Sequence, residues 1–121
     1  MSYIEKQLNA GIPLEKILED ARIKDIENLE LINMAKDWEK GDDVAAAAIV
    51  YEYLILNNFD GNFPYDRLVI IYKKQNKHSE VIRVLEKAVW VFENVVDKNR
   101  ADRTKKLSKY KAELEKAGIT D

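Results

Sequence analysis

Seven positions of this chain recur 34 places further on, and nothing else in the sequence limits its fold so tightly. Leu31, Met34, Ala35 and Trp38 are answered by Tyr65, Leu68, Val69 and Tyr72, and Ala47, Tyr51 and Leu54 by Val81, Leu85 and Ala88. All are apolar or aromatic, and the alignment needs no gap. The first set falls at i, i+3, i+4 and i+7, the spacing of one helix face, and the second follows the same rule. A pair of amphipathic helices repeated at fixed period cannot bury its apolar faces alone and must stack on its neighbour. The sequence therefore implies an all-α array.

These residues resemble the tetratricopeptide repeat (TPR), whose unit is a 34-residue helix–turn–helix. Its first-helix pattern of large aromatic, Leu, small residue and Tyr is matched by Tyr65, Leu68, Val69 and Tyr72, and in the preceding unit by Leu31, Met34, Ala35 and Trp38. The second-helix pattern is met by Ala47 and Tyr51, with Leu54 larger than the Ala of the family, and again by Val81, Leu85 and Ala88. The turn Lys40-Gly41-Asp42 resembles the Gly-Asp turn of the family but sits one residue early. The match covers roughly residues 28–95. It implies one TPR-like domain over 1–121: an N-terminal cap at 1–25, repeats at 28–61 and 62–95, and a capping helix at 100–117.

The residues between the repeat positions agree. Four Gly and two Pro interrupt 121 residues, so helices can run almost throughout. Charged residues at 35% and apolar ones at 46% suit a thin helical array with much surface per residue. Ser2 is a natural N-cap for a first helix to Asn9. Ala10-Gly11-Ile12 stops that helix, and Pro13 opens the next at a position where its missing N–H costs nothing, followed by Leu14, Ile17, Leu18 and Ala21 on one face. Further helices are expected over about 26–40, 43–57, 64–75, 79–96 and 100–117, with Asn57 to Asn62 as the clearest turn. The 79–96 helix has a wide apolar face that includes Val95, and Trp90 and Ile82 carry it round the side. It should be covered on two flanks, with Trp90 under the last helix or in a dimer contact. Carried forward once more, the repeat falls on polar Asn99, Asp102, Arg103 and Lys106, so it has ended. The last helix keeps a narrow seam of Thr104, Leu107, Tyr110, Leu114 and Ala117, as a capping helix should.

Catalytic chemistry finds no foothold in the motifs. The single His78 stands in a turn, there is no Cys, and there is no phosphate loop or nucleophile elbow. The chain is therefore expected to be neither an enzyme nor a holder of metal or cofactor. Asp60-Gly61-Asn62 lacks the further oxygen ligands of a calcium loop and reads as a connector. Without Cys, a signal-peptide pattern or a long apolar run, the expected compartment is the cytoplasm, with no membrane partner. A start Met and a cap at each end read as a complete chain. Its richness in Lys, Ile and Asn suggests a bacterial or phage regulator.

Charge supplies the functional candidates. Residues 1–60 carry thirteen acids and six bases, and residues 61–121 nine acids and fourteen bases. The resemblance implies a concave surface made by the first helices of successive repeats. Its groove would present Ile32, Lys36, Glu39 and Lys40, then Asp66, Arg67, Ile70, Lys73 and Lys74: a basic-leaning surface with two apolar contacts, suited to an acidic protein or peptide. The expected function is a protein-interaction module, a small adaptor or regulatory inhibitor, monomeric or homodimeric. Two alternatives stand beside it. One is a nucleic-acid-associated regulator using a basic strip of Arg103, Lys106 and Lys109 on the last helix. The other is self-assembly, since two repeats are fewer than such arrays usually need. Against all of these stands the plain reading of ordinary solvated helix charges.

Overall fold

The computed structural model describes residues 3–20, 22–23 and 26–119. Among them the chain is all-α, with seven helices: α1 (Tyr3–Asn9), α2 (Leu14–Glu19), α3 (Asn28–Lys40), α4 (Val44–Leu56), α5 (Phe63–Lys74), α6 (His78–Asn94) and α7 (Arg103–Ile119). Two expected features of the N-terminal cap, the Ser2 N-cap and Ala21, lie outside the described residues. The chain divides into two compact units, Met1–Tyr53 and Leu54–Asp121, the division falling within α4.

The 34-residue period recurs in the backbone. α3 ends at Lys40 and α5 at Lys74; α4 begins at Val44 and α6 at His78. In the turn after α3 the Asp43 N–H donates to Trp38 O at 2.8 Å, and after α5 the Lys77 N–H donates to Tyr72 O at 2.9 Å. Each turn passes through one left-handed residue, Asp42 at φ 65° and Asn76 at φ 56°. Gly41 has an ordinary φ of −87°, so the freedom of glycine is not used there and the short polar side chain of Asp42 takes the strained place instead. Of the fourteen repeat positions all are buried except Met34 and Trp38, which are half-buried.

In the first unit, α1 and α2 bury Ile4, Leu14, Ile17 and Leu18. Gly11 at φ 86° makes the turn between them. The Tyr3 hydroxyl donates to Asp20 Oδ2 at 2.7 Å, and Arg22 sits 5.1 Å from the centre of the Tyr3 ring. Leu31, Ile32 and Ala35 are the buried stripe of α3. Asp43 caps α4 by accepting from the Ala46 N–H at 3.2 Å. The buried Tyr51 hydroxyl donates to Glu39 Oε1 at 2.6 Å and so ties α4 to α3.

In the second unit, α6 packs against both α5 and α7. The three helices meet in a triad of buried aromatic rings, one from each: Tyr65, Phe92 and Tyr110. Their centroids lie 6.4 Å (Tyr65–Phe92), 6.3 Å (Tyr65–Tyr110) and 5.4 Å (Phe92–Tyr110) apart, all tilted or edge-on, the arrangement ring quadrupoles favour. The connector between α4 and α5 is held from several directions. Tyr65 donates to Phe59 O at 2.7 Å, Lys87 to Asn58 Oδ1 at 2.6 Å and Arg100 to Asp60 O at 2.6 Å. Gly61 lies so near the Phe59 ring that a Cβ there would stand 2.6 Å from Phe59 Cε2.

The structure corrects three expectations about the C-terminal half. α7 starts at Arg103 rather than near Arg100, because the Arg100 guanidinium is held in the preceding loop by Asp102 and the Asp60 carbonyl. Its seam is shorter on one side than expected: Thr104 is exposed, whereas Tyr110 is fully buried. On α6, Val95 falls beyond the helix end and is exposed, and Trp90 is left 48% exposed.

Candidate interaction surface

The residues expected to line a groove fall into two groups, one in each unit, and each group is altered by the structure. On α3, Lys36 and Lys40 are exposed, but Ile32 is buried and offers no apolar contact, because it joins Leu31 and Ala35 in the stripe that α3 buries. Glu39 is half-buried and engaged by the Tyr51 hydroxyl.

On α5 the correction concerns Asp66. Its Oδ1 accepts from the Tyr110 hydroxyl at 2.9 Å and from Lys109 Nζ at 3.2 Å, and its Oδ2 accepts from Asn62 Nδ2 at 2.8 Å. A carboxylate with three donors inside its own unit is a fastening for α7, not a contact for a partner. Of the rest of the group, Arg67 is half-buried and Ile70, Lys73 and Lys74 are exposed. Ile70 is 38% exposed between Arg67, one turn earlier, and the exposed Lys73 and Lys74, one turn later. This outer face of α5 is apolar at its centre and cationic on both sides.

The basic strip on α7 is largely spent within the chain. Arg103 donates from its guanidinium to Glu93 O at 3.1 Å, Lys109 pairs with Asp66, and Lys106 is half-buried. The strip faces α5 and α6 because Tyr110, on the same side, must reach the aromatic triad. Of the three bases only Lys109 is set against a carboxylate, and Arg103 spends a donor on a backbone carbonyl.

Sequence reasoning missed the acidic counterpart of the α5 face. Glu86, Val89, Trp90, Glu93 and Asn94 of α6, with Leu114 of α7, line a shallow depression of about 260 Å³. Its charged lining is entirely acidic. Lys87 places its ammonium 4.9 Å from the centre of the Trp90 ring. The signal was present in the sequence as an off-stripe tryptophan flanked by Glu at i−4 and i+3, but the sequence could not show that α7 would leave it open. Among the described residues no group of His, Asp and Glu could hold a metal ion, and no helix is long and apolar enough to cross a membrane. Comparison with family models, curated proteins and solved structures finds no match for the chain.

Proposed function

We propose that this chain is a TPR-like protein-interaction module, a small adaptor or regulatory inhibitor acting in the cytoplasm, and that it docks an acidic protein segment on the outer face of α5. The observation that carries the reading is Ile70, exposed on a helix face where Arg67, Lys73 and Lys74 flank it and the one flanking acid, Asp66, is paired with Lys109. An apolar anchor seated between cations suits a partner that offers a hydrophobic residue among carboxylates: burial supplies affinity, and opposite charge supplies registration and on-rate. The 34-residue recurrence of helix ends and turns supports the TPR-like part of the reading. The in-chain bonds of Arg103 and Lys109 favour a protein partner over nucleic acid.

Affinity capture from the native cell after nuclease treatment, with wild type and Lys73→Glu/Lys74→Glu side by side, tests this. The expected result is a captured acidic protein that is lost from the double variant and released from wild type by salt. Equal recovery by both chains, or recovery that vanishes with nuclease, refutes it.

A further inference from the structure

We propose that the chain also associates with itself head to tail, the outer face of α5 in one copy seating on the α6–α7 depression of the next. The proposal rests on the reading of α5 as a docking face and names a second copy as an occupant. Its basis is a match between two surface patterns of the same unit. On α5 the exposed Ile70 has Arg67 one turn before it and Lys73 and Lys74 one turn after. On α6 the exposed Trp90 has Glu86 one turn before it and Glu93 one turn after. In each pattern the outer charges stand seven residues apart, a rise of roughly 10 Å along the helix. The spacing is the same and the signs are opposite. With Ile70 laid over Trp90, Arg67 and Lys74 meet Glu86 and Glu93 whichever way the two helices run.

One chain cannot close this contact on itself. No residue of α5 lines the depression, and α5 buries Leu68, Val69 and Tyr72 while Ile70 stays outside. Two neighbours of the depression are basic. Lys87 donates to Asn58 Oδ1 at 2.6 Å and covers one face of the Trp90 ring with its ammonium, 4.9 Å from the ring centre. Lys111 lies 3.3 Å from Glu93 Oε1 in a pair exposed on both sides, which is worth little and is readily exchanged for another cation. The contact is heterologous, so a row of any length keeps one basic face unfilled at one end and one acidic face at the other, and growth can continue. With one apolar pair and a few rim charges the association is weak and salt-sensitive. An acidic partner on α5 competes with it directly.

Sedimentation velocity of three full-length chains at low salt, from about 10 µM to about 1 mM, tests the proposal. They are wild type, Lys73→Glu/Lys74→Glu and Glu86→Lys/Glu93→Lys, each checked for unchanged helicity by circular dichroism. Wild type is expected to form dimers and larger species as concentration rises, with association at least about tenfold weaker in high salt. Each variant alone stays monomeric, since its two faces now carry like charge. Mixed in equal amounts, the variants associate again, because opposite faces are restored between them. Wild type that stays monomeric, variants that associate as well as wild type, or a mixture that stays monomeric overturns the proposal. If the monomeric wild type still captures an acidic partner through Lys73 and Lys74, the α5 docking face stands and only the second copy is excluded. If neither measurement responds to those lysines, the docking face itself is wrong.

Discussion

The Tyr110 hydroxyl donates to Asp66 Oδ1 at 2.9 Å, joining the middle of α7 to the first turn of α5. Lys109 reaches the same oxygen, so two consecutive residues of α7 converge on one carboxylate. The Tyr110 ring meanwhile closes the aromatic triad with Tyr65 and Phe92. A helix whose exposed side is densely charged is thus fastened by the fully buried Tyr110 and its polar tip, with Lys109 and Arg103 bonded to α5 and α6 beside it.

Tyr110→Ala is expected to cost about 3–5 kcal/mol, as truncation of buried aromatics does. Tyr110→Phe keeps the ring and removes only the hydrogen bond, costing about 1–2 kcal/mol. Trp38→Ala should cost less than Tyr110→Ala because Trp38 is half-buried, the reverse of the order the repeat pattern suggests. Urea unfolding of the three variants checks this; a loss under about 1 kcal/mol for Tyr110→Ala contradicts the triad as a main support.

Burial is the main cause that pushes the Tyr65 and Tyr110 hydroxyls above the ordinary tyrosine value of 10.0, and Asp60 and Asp66 respectively add to it. The folded protein thus holds these protons more tightly than the unfolded chain. Their contribution is complete below about pH 10 and is lost as pH rises toward the folded-state values. Unfolding free energy should fall by about 1.4 kcal/mol per pH unit for each tyrosine above pH 10. Tyr110→Phe should remove about half of that slope, measured by denaturant titration from pH 9 to 12.

The left-handed turn residues give a prediction of opposite sign. Asp42→Gly and Asn76→Gly each relieve a positive φ that an L side chain resists, and each should gain a few tenths to about 1 kcal/mol. Ala at either place should lose stability. Thermal melts of the four variants test the pair, and equal response at both positions is expected from their matched turn hydrogen bonds.

The two basic groups should separate cleanly in stability. Lys73→Glu/Lys74→Glu changes exposed positions and should move stability by less than about 0.5 kcal/mol. Arg103→Glu/Lys109→Glu breaks the bonds to Glu93 O and Asp66 and places a new carboxylate beside Asp66, so it should be clearly less stable. Denaturant midpoints of both chains decide.

The sequence made the helices legible because apolar spacing near 3.6 residues survives without tertiary context, and α3 to α6 lie within a few residues of their expected places. The surface was harder. Periodicity leaves Ile32 beside the main stripe, and only the fold shows that α3 buries it. Asp66 looks like any first-turn acid until Tyr110 and Lys109 arrive from α7. Charge spacing on α7 marks Arg103 and Lys109 as a row, but cannot tell whether a row faces solvent or fastens its own unit. The weight of Tyr110 is hidden for a related reason: its helix carries a narrow seam, and its burial is set by rings on two other helices.

The connector before α5 carries a consequence for the order in which the second unit assembles. Its anchors lie far ahead in the chain: Lys87 reaches back 29 residues to Asn58, Arg100 reaches back 40 to Asp60, and Tyr110 reaches back 44 to Asp66, whose other oxygen holds Asn62. None of these anchors is local, so the connector is fixed only when α6 and α7 have folded back on it. A hairpin of α5 and α6 alone would leave Tyr65 and Phe92 without the third ring of the triad, and the last helix, although it bears no repeat, is the piece that closes the unit.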